Sequence, residues 1–138
     1  MNIPDIEPIV IEHLMQEGTV LYELVGKRIW SPIARTNWKN DAPAIVAHVE
    51  TIAGHPAAPT SPSTVVLKCY GGSMNPDDAK SVAHATVPIL HQLRGSQSAH
   101  GTILKSDLIV MFPGPPEQTT GWPVWVVKYG LTVQGRSL

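Results

Sequence analysis

The chain has 138 residues, of which 43% are hydrophobic and 15% are charged, and its formal net charge at pH 7 is -1. A chain of this length forms one ordinary domain, here taken as residues 1–138. It buries roughly two thirds of its unfolded surface without the help of disulfides or metal ions. The balanced charge gives no long-range positive field, which argues against sequence-independent binding of DNA or anionic lipid. The low charged fraction indicates a surface that partners partly cover.

Two local features indicate the cellular compartment of the protein. Cys69 is the single cysteine and lies in an apolar segment, which predicts a buried, inert thiol in a reducing compartment. The N-terminus lacks the basic region of a secretory signal, and no apolar run approaches membrane-spanning length. These features predict a protein that is made in the cytoplasm and has no membrane partner.

The first thirty residues predict two helices and a short extended segment. Apolar residues recur at helical spacing over Ile6–Leu14, and Gly18 ends this helix. Thr19 is a suitable N-cap for a second short helix, which Gly26 ends before residues 27–30 become extended. The predicted order is helix, short helix, short strand.

The middle of the chain predicts two strands joined by a proline-rich segment. After a loop over residues 31–43, alternating apolar residues predict a strand over 44–51. Residues 53–63 carry three prolines, which remove ladder donors, so we expect no regular structure there and a hairpin arm over about 52–63. The next strand covers residues 64–70.

The clearest start signal of the chain lies at Asn75. Asn75 is a good N-cap, Pro76 suits the first helical position, and the acidic pair 77–78 lies where the helix dipole favours negative charge. The helix extends to about residue 93. Pro88 lies inside it and predicts a kink, because proline cannot donate a backbone hydrogen bond.

The last third predicts two long strands. The first covers residues 100–112 and is closed by the proline-rich segment 113–116. Its apolar residues are expected to share one face: Leu104, Leu108, Val110 and Phe112. The final strand, over 124–134, has the most regular alternation and is therefore expected to be central in the sheet or part of a barrel-like arrangement.

The sequence predicts no metal site, no cofactor and no catalytic residue. His84 and His91 lie on one predicted helix at a spacing of seven, whereas helical ligand pairs use three or four. Gly71 and Gly72 lack the residues of a phosphate-binding loop, and Ser73 is interpreted as a turn serine. One enzymatic alternative stays open: a small Asp/His hydrolase, which requires Asp107 to converge with a histidine such as His48 or His100.

Four landmarks, taken in order, resemble the tail-completion and tail-terminator family of long-tailed bacteriophages. Residues 24–29 read Leu-Val-Gly-Lys-Arg-Ile, similar to the family's Leu-Val-Gly-x-Arg-Ile turn, and residues 42–46 form a strand entry. Residues 65–71 precede a helix with Ala79, Ala83 and Leu90, and a closing strand pair follows. The resemblance covers about residues 5–134; the proline-rich arm and Pro88 depart from it.

The resemblance implies an α+β fold with a mostly antiparallel sheet of about four to five strands. The helices are expected on one face of the sheet, with the N-terminal helix first. It also implies a virion protein without enzymatic activity, forming a homo-hexameric ring at the head-proximal end of the tail. Such a ring ends the tail tube, contacts the tail tube protein and the head–tail connector, and lets DNA pass without sequence-specific contacts.

A ring closed by rotation uses two different patches on each subunit. Trp38 and Trp122 lie in predicted loops, where a large ring is a candidate interface anchor. The arm supplies further candidates in His55, Pro56 and Pro59. We expect these residues to contact neighbouring subunits or partners.

Two other interpretations remain open beside the hydrolase. The chain could be another phage neck, head-completion or minor tail protein, because the sequence does not separate neighbours in one assembly line. It could also be a dimeric binding module of a host cell, for which no ring form is expected.

Overall fold

The computed structural model describes residues 6–30, 43–52, 60–93, 95, 97–98, 101–116 and 121–134. Within these ranges the helices are α1 (Ile6–Leu14), α2 (Val20–Val25) and α3 (Pro76–His91). The strands are β1 (Ile29–Trp30), β2 (Ala44–Ile52), β3 (Thr60–Tyr70), β4 (Gln97–Ser98), β5 (Gly101–Gly114) and β6 (Val124–Gln134).

The strands form one sheet in the order β1-β2-β3-β6-β5-β4. The β1–β2 pair is parallel and the other pairs are antiparallel. Four long strands form the body of the sheet, and the two-residue strands β1 and β4 lie at its ends. The predicted α+β class, the mostly antiparallel sheet and the leading helix are confirmed, and β6 occupies the central position that its alternation predicted.

Register divides the sheet into a face covered by the helices and an opposite face. The covered face and the helices share one core, in which the strand residues include Ile45, Leu67, Cys69, Val127 and Tyr129. On the opposite face Val66, Val124 and Val126 form a small cluster against Tyr70 and Phe112. The prediction of a buried Cys69 is confirmed, and burial raises the pKa of its thiol, which keeps the sulfur in the unreactive protonated form.

Local chemistry sets the entry into α3. The Asp77 backbone N–H donates to the Asn75 side chain at 3.0 Å, as expected of an N-cap. Ser73 donates to the Asp78 carboxylate, and the Asn75 N–H donates to the Ser73 hydroxyl, so Ser73 is a turn serine. A Cβ at Gly71 would lie 2.4 Å from the Ala79 backbone nitrogen. The first turn of α3 therefore packs directly on the bare backbone of Gly71, and only glycine fits there.

The turn that carried the family resemblance joins α2 to the sheet. Gly26 ends α2 with a positive φ of 56°, a conformation that favours glycine. Arg28 then donates from Nε to the Pro43 carbonyl at 2.8 Å and from Nη2 to the Leu24 carbonyl at 3.0 Å. One half-buried side chain thus ties the end of α2 to the entry of β2.

The proline predictions need correction at one site. β3 begins at Thr60, so the expectation of no regular structure is wrong for Thr60–Ser63, and residues 53–59 of the expected arm lie outside the described residues. Pro62 lies within β3 and is paired with Thr132 of β6, and the described pairing with β2 extends to Ser63. α3 continues through Pro88 to His91, and the kink expected there stays a prediction.

No helix in the described ranges is both long and apolar enough to cross a lipid bilayer.

Candidate assembly surfaces

The most exposed group of large apolar side chains in the described part of the sheet lies on β5. The exposed fractions are 37% for Leu104, 42% for Leu108, 56% for Ile109 and 40% for Val110. We call these four residues the β5 patch. Monomeric proteins seldom expose several aliphatic side chains on one strand, because burying each of them lowers the free energy.

Two breaks in register explain why β5 exposes these residues. The pairing with β6 shifts between Ile103 and Lys105 and again between Leu108 and Val110, so Leu104 and Ile109 are extra residues in the strand. Each inserted residue changes the face to which the following side chains point. The prediction that Leu104, Leu108, Val110 and Phe112 share one face is therefore wrong.

The bulges place other β5 residues toward the core. Ile103 is fully buried, and Ser106 is buried with its hydroxyl donating to the Leu90 carbonyl at 2.5 Å. Leu108 is paired with the buried Tyr129 and so lies on the helix-covered face. Val110 is paired with Lys128 on the opposite face, so the exposed aliphatic residues lie on both sides of β5. β5 thus uses a hydroxyl to dock on α3 and leaves much of its apolar surface outside.

β5 also presents an open edge within the described residues. β6 pairs along nearly the whole strand on one side, whereas β4 pairs only with Gly101 and Thr102 on the other. The Ile103 carbonyl also accepts from the Gly95 N–H, at 2.6 Å. Beyond Ile103 the strand continues for about 37 Å, at roughly 3.4 Å per residue. Proteins usually protect such edges with bulges and charges. β5 has both, since Lys105 and Asp107 flank the apolar side chains and are exposed.

A cleft of about 770 Å³ lies in the helix layer, between the start of α2 and α3. Its apolar lining comes from Val20, Ala85, Pro88 and Ile89, and Asp77 and Lys80 belong to its polar lining. We call it the α2–α3 cleft. Val20 is 67% exposed, an unusual position for a β-branched aliphatic residue on a short helix. Pro88 contributes a rigid wall to this cleft, which is a role that the sequence did not indicate.

The cleft and the β5 patch lie on different parts of the subunit. α2 packs on β2, and α3 packs on β3, β5 and β6. The cleft between the two helices therefore lies above the sheet in the helix layer, whereas the β5 patch lies toward the β4 end of the strand order. The subunit accordingly carries one concave and one protruding apolar surface.

The residues predicted as interface anchors fall mostly outside the described ranges. Trp38, His55, Pro56 and Pro59 are not described by the structure. Trp122 is half-buried just before β6 and takes part in an interaction. The interface role of all five residues stays a prediction.

The structure does not bring together His48 and Asp107, the described candidates for an Asp/His hydrolase. His48 lies on β2 and Asp107 lies on β5, with β3 and β6 between them. Three strand spacings of roughly 4.8 Å separate the backbones of the two residues by about 14 Å or more. His100 lies outside the described residues. Among the described residues, no group of three His, Cys, Asp or Glu side chains could hold a metal ion.

The sequence contained a signal for the β5 patch that alternation alone did not reveal. Residues 108–112 read Leu-Ile-Val-Met-Phe, five consecutive apolar residues. A strand with one covered face cannot bury all five, because successive side chains point to opposite faces. Part of this run therefore had to be exposed or covered by another element.

Comparison with known proteins shows a likeness of fold. No family model matches the sequence, and no curated protein matches it. Among solved structures, the chain is similar to a chain of the "Virion of native gene transfer agent (GTA) particle". The TM-score is 0.64 at 14% sequence identity, and the match covers 91% of this chain and 92% of that chain. The two chains thus share an architecture over nearly their whole lengths.

Proposed function

We propose that this chain is a structural virion protein of a phage-like particle and that it acts by self-association. The observation that carries the proposal is the β5 patch, four exposed aliphatic side chains on a strand whose outer edge is largely unpaired among the described residues. Such an edge is a ready template for contact with another chain. The likeness to a chain of a gene transfer agent virion supports the same conclusion, since that chain is part of a virion particle.

Within the virion, we assign the chain to the head-proximal end of the tail. There a homo-hexameric ring would end the tail tube and join it to the head–tail connector, with DNA passing through. The Leu-Val-Gly-Lys-Arg-Ile turn supports this assignment, because it forms the joint by which Arg28 ties α2 to β2. Two different adhesive surfaces per subunit also suit a ring, since a closed head-to-tail ring needs one of each.

No enzymatic step is part of this proposal. The two described candidates for an acid/base pair, His48 and Asp107, lie on strands that two other strands separate. An enzyme would need them within hydrogen-bond reach of a common substrate. A rigid sheet with adhesive surfaces is sufficient for a junction protein.

Deleting the gene from the particle that encodes it tests the assignment, with electron microscopy as the readout. We expect heads without attached tails and tail tubes of uncontrolled length, because no ring stops tube growth. Tails of normal length that fail to attach to heads would instead identify a neck or head-completion protein. Complete, infectious particles would overturn the proposed virion role.

A further inference from the structure

We infer that the β5 patch of one copy docks in the α2–α3 cleft of the next copy. The inference rests on the proposed ring and names the contact that builds it. The occupant of the cleft is thus a second copy of this chain, presented by its β5 edge. The contact is head-to-tail, because the two surfaces are different parts of the same subunit.

Shape and apolar chemistry support this pairing. The cleft is concave and is lined by Val20, Ala85, Pro88 and Ile89. Leu108 and Ile109 are exposed on a strand whose outer edge has no strand partner beyond Thr102 among the described residues. Its volume of about 770 Å³ is within the range of sites that enclose ligands with many heavy atoms. Several aliphatic side chains therefore fit, and docking would remove exposed apolar area of both surfaces from water.

The charges around the two surfaces are complementary. The cleft carries one acid and one base, Asp77 and Lys80, and the β5 edge also carries one of each, Lys105 and Asp107. Docking can therefore place Lys105 toward Asp77 and Asp107 toward Lys80. Opposite charges at the rim of an interface fix its register and exclude the reverse orientation.

The position of the two surfaces favours a ring over a dimer. If β5 of one copy paired with β5 of another, the contact would be two-fold, would close at a dimer and would leave the cleft empty. A contact between the β5 patch of one copy and the cleft of the next is head-to-tail. In such a pair one copy still has a free cleft, and the other still has a free β5 patch. Such a contact propagates until rotation closes the ring.

The test uses two variants of the full chain, Val20→Glu and Ile109→Lys. Val20 is 67% exposed and Ile109 is 56% exposed, so neither substitution disturbs the core. Each places a charge in the proposed contact, and we expect each variant alone to need a concentration roughly 100-fold higher for assembly, because the charge would be desolvated without a partner. Met74→Glu is the matched control, since Met74 is 64% exposed and lines neither surface.

Mixing the two variants gives the decisive measurement. The Ile109→Lys chain keeps an intact cleft, and the Val20→Glu chain keeps an intact β5 patch. An equimolar mixture should therefore form at least dimers, with twice the chain mass of 14.9 kDa, and rings if the Glu–Lys contact also closes. Native mass spectrometry and light scattering of each variant and of the mixture resolve these species.

The outcomes separate the docking inference from the proposed function. If wild-type rings form but the mixture stays monomeric, or if Val20→Glu assembles as wild type does, the docking inference is wrong and the ring proposal stands. Ile109→Lys assembling normally would likewise overturn the docking inference. If the wild-type chain stays monomeric at every concentration, both alone and with tail tubes, the ring and the docking inference both fail.

Discussion

β6 and β5 are neighbours in the sheet and have similar lengths, yet they use their aliphatic residues for opposite purposes. In β6 the alternation is unbroken, and Val127, Tyr129 and Leu131 are buried in the main core. In β5 two register shifts divide the strand, and Leu108 and Ile109 remain exposed. The same kind of side chain thus stabilises the fold in one strand and is available for assembly in the next.

The difference arises from position and register. β6 lies between β3 and β5, so both of its edges are paired, and α3 packs against one of its faces. Among the described residues β5 is paired along nearly its whole length only with β6, and its two bulges leave aliphatic side chains exposed. A central strand must fit a fixed core, whereas a strand near the end of a sheet can vary its surface without loss of the fold.

Removing one large side chain from each strand should give the largest contrast. Tyr129→Ala should lower the free energy of unfolding by about 3–5 kcal/mol, because a fully buried aromatic ring leaves a cavity. Ile109→Ala should change it by no more than about 0.5 kcal/mol, because most of its side chain is already in water. Urea unfolding at a protein concentration below assembly measures both values.

The control for this pair is the shape of the unfolding transition. Both variants should unfold with the same dependence on urea as the wild type, which shows that the folded and unfolded states are unchanged. A loss of several kcal/mol in Ile109→Ala would contradict the comparison, because it would mean that the β5 patch belongs to the folding core of the single chain.

The sequence predicted the parts of this fold whose signals are local. Asn75 and Pro76 determine the start of α3 through their own side chains, and the alternation in β6 follows from its burial on one face. Gly26 ends α2 because its backbone adopts a positive φ. Such features depend on a residue and its nearest neighbours, so they can be read without knowledge of the tertiary structure.

The features that the sequence did not predict depend on contacts between distant segments. The bulges of β5 arise from its pairing with β6, and Pro62 lies within β3 opposite Thr132 of β6. The α2–α3 cleft brings Val20 next to Pro88, residues that are far apart in the chain. None of these juxtapositions leaves a periodic pattern. The apolar run of residues 108–112 indicates the β5 patch, whereas no pattern in the sequence indicates the α2–α3 cleft.

Alkaline pH should lower the free energy of unfolding through Tyr129 of β6, by less than the Tyr129→Ala substitution does. Burial raises the pKa of Tyr129 in β6 from 10.0 to about 12. Below pH 10 the hydroxyl is protonated in both the folded and the unfolded chain, so it causes no pH dependence. Between pH 10 and 12 the unfolded chain loses this proton first, so the folded state should lose about 2 kcal/mol of stability.

Tyr129→Phe isolates this contribution. The variant should lack about 2 kcal/mol of the decline between pH 10 and 12, while its stability between pH 7 and 9 should differ from the wild type by a constant amount. Chemical unfolding at each pH provides the measurement. Parallel curves through pH 12 would show that the hydroxyl is accessible to water, and β6 would then be less closed than its burial indicates.

The smallest expected effect tests whether the inner side of β5 behaves like β6. Ser106→Ala removes the hydroxyl that donates to the Leu90 carbonyl at 2.5 Å, and it should lower the free energy of unfolding by about 1 kcal/mol. The loss stays small because the Leu93 N–H also donates to that carbonyl, at 3.2 Å, so the acceptor keeps a partner.

Lys105→Ala, one residue earlier and exposed, is the matched control and should change the free energy of unfolding by less than about 0.5 kcal/mol. Equal effects in the two variants would contradict a β5 with one anchored and one exposed side. The expected difference between Ser106→Ala and Lys105→Ala requires that neighbouring residues of β5 differ in burial. In that case β5 holds α3 through Ser106 while its aliphatic residues remain free for a neighbouring subunit.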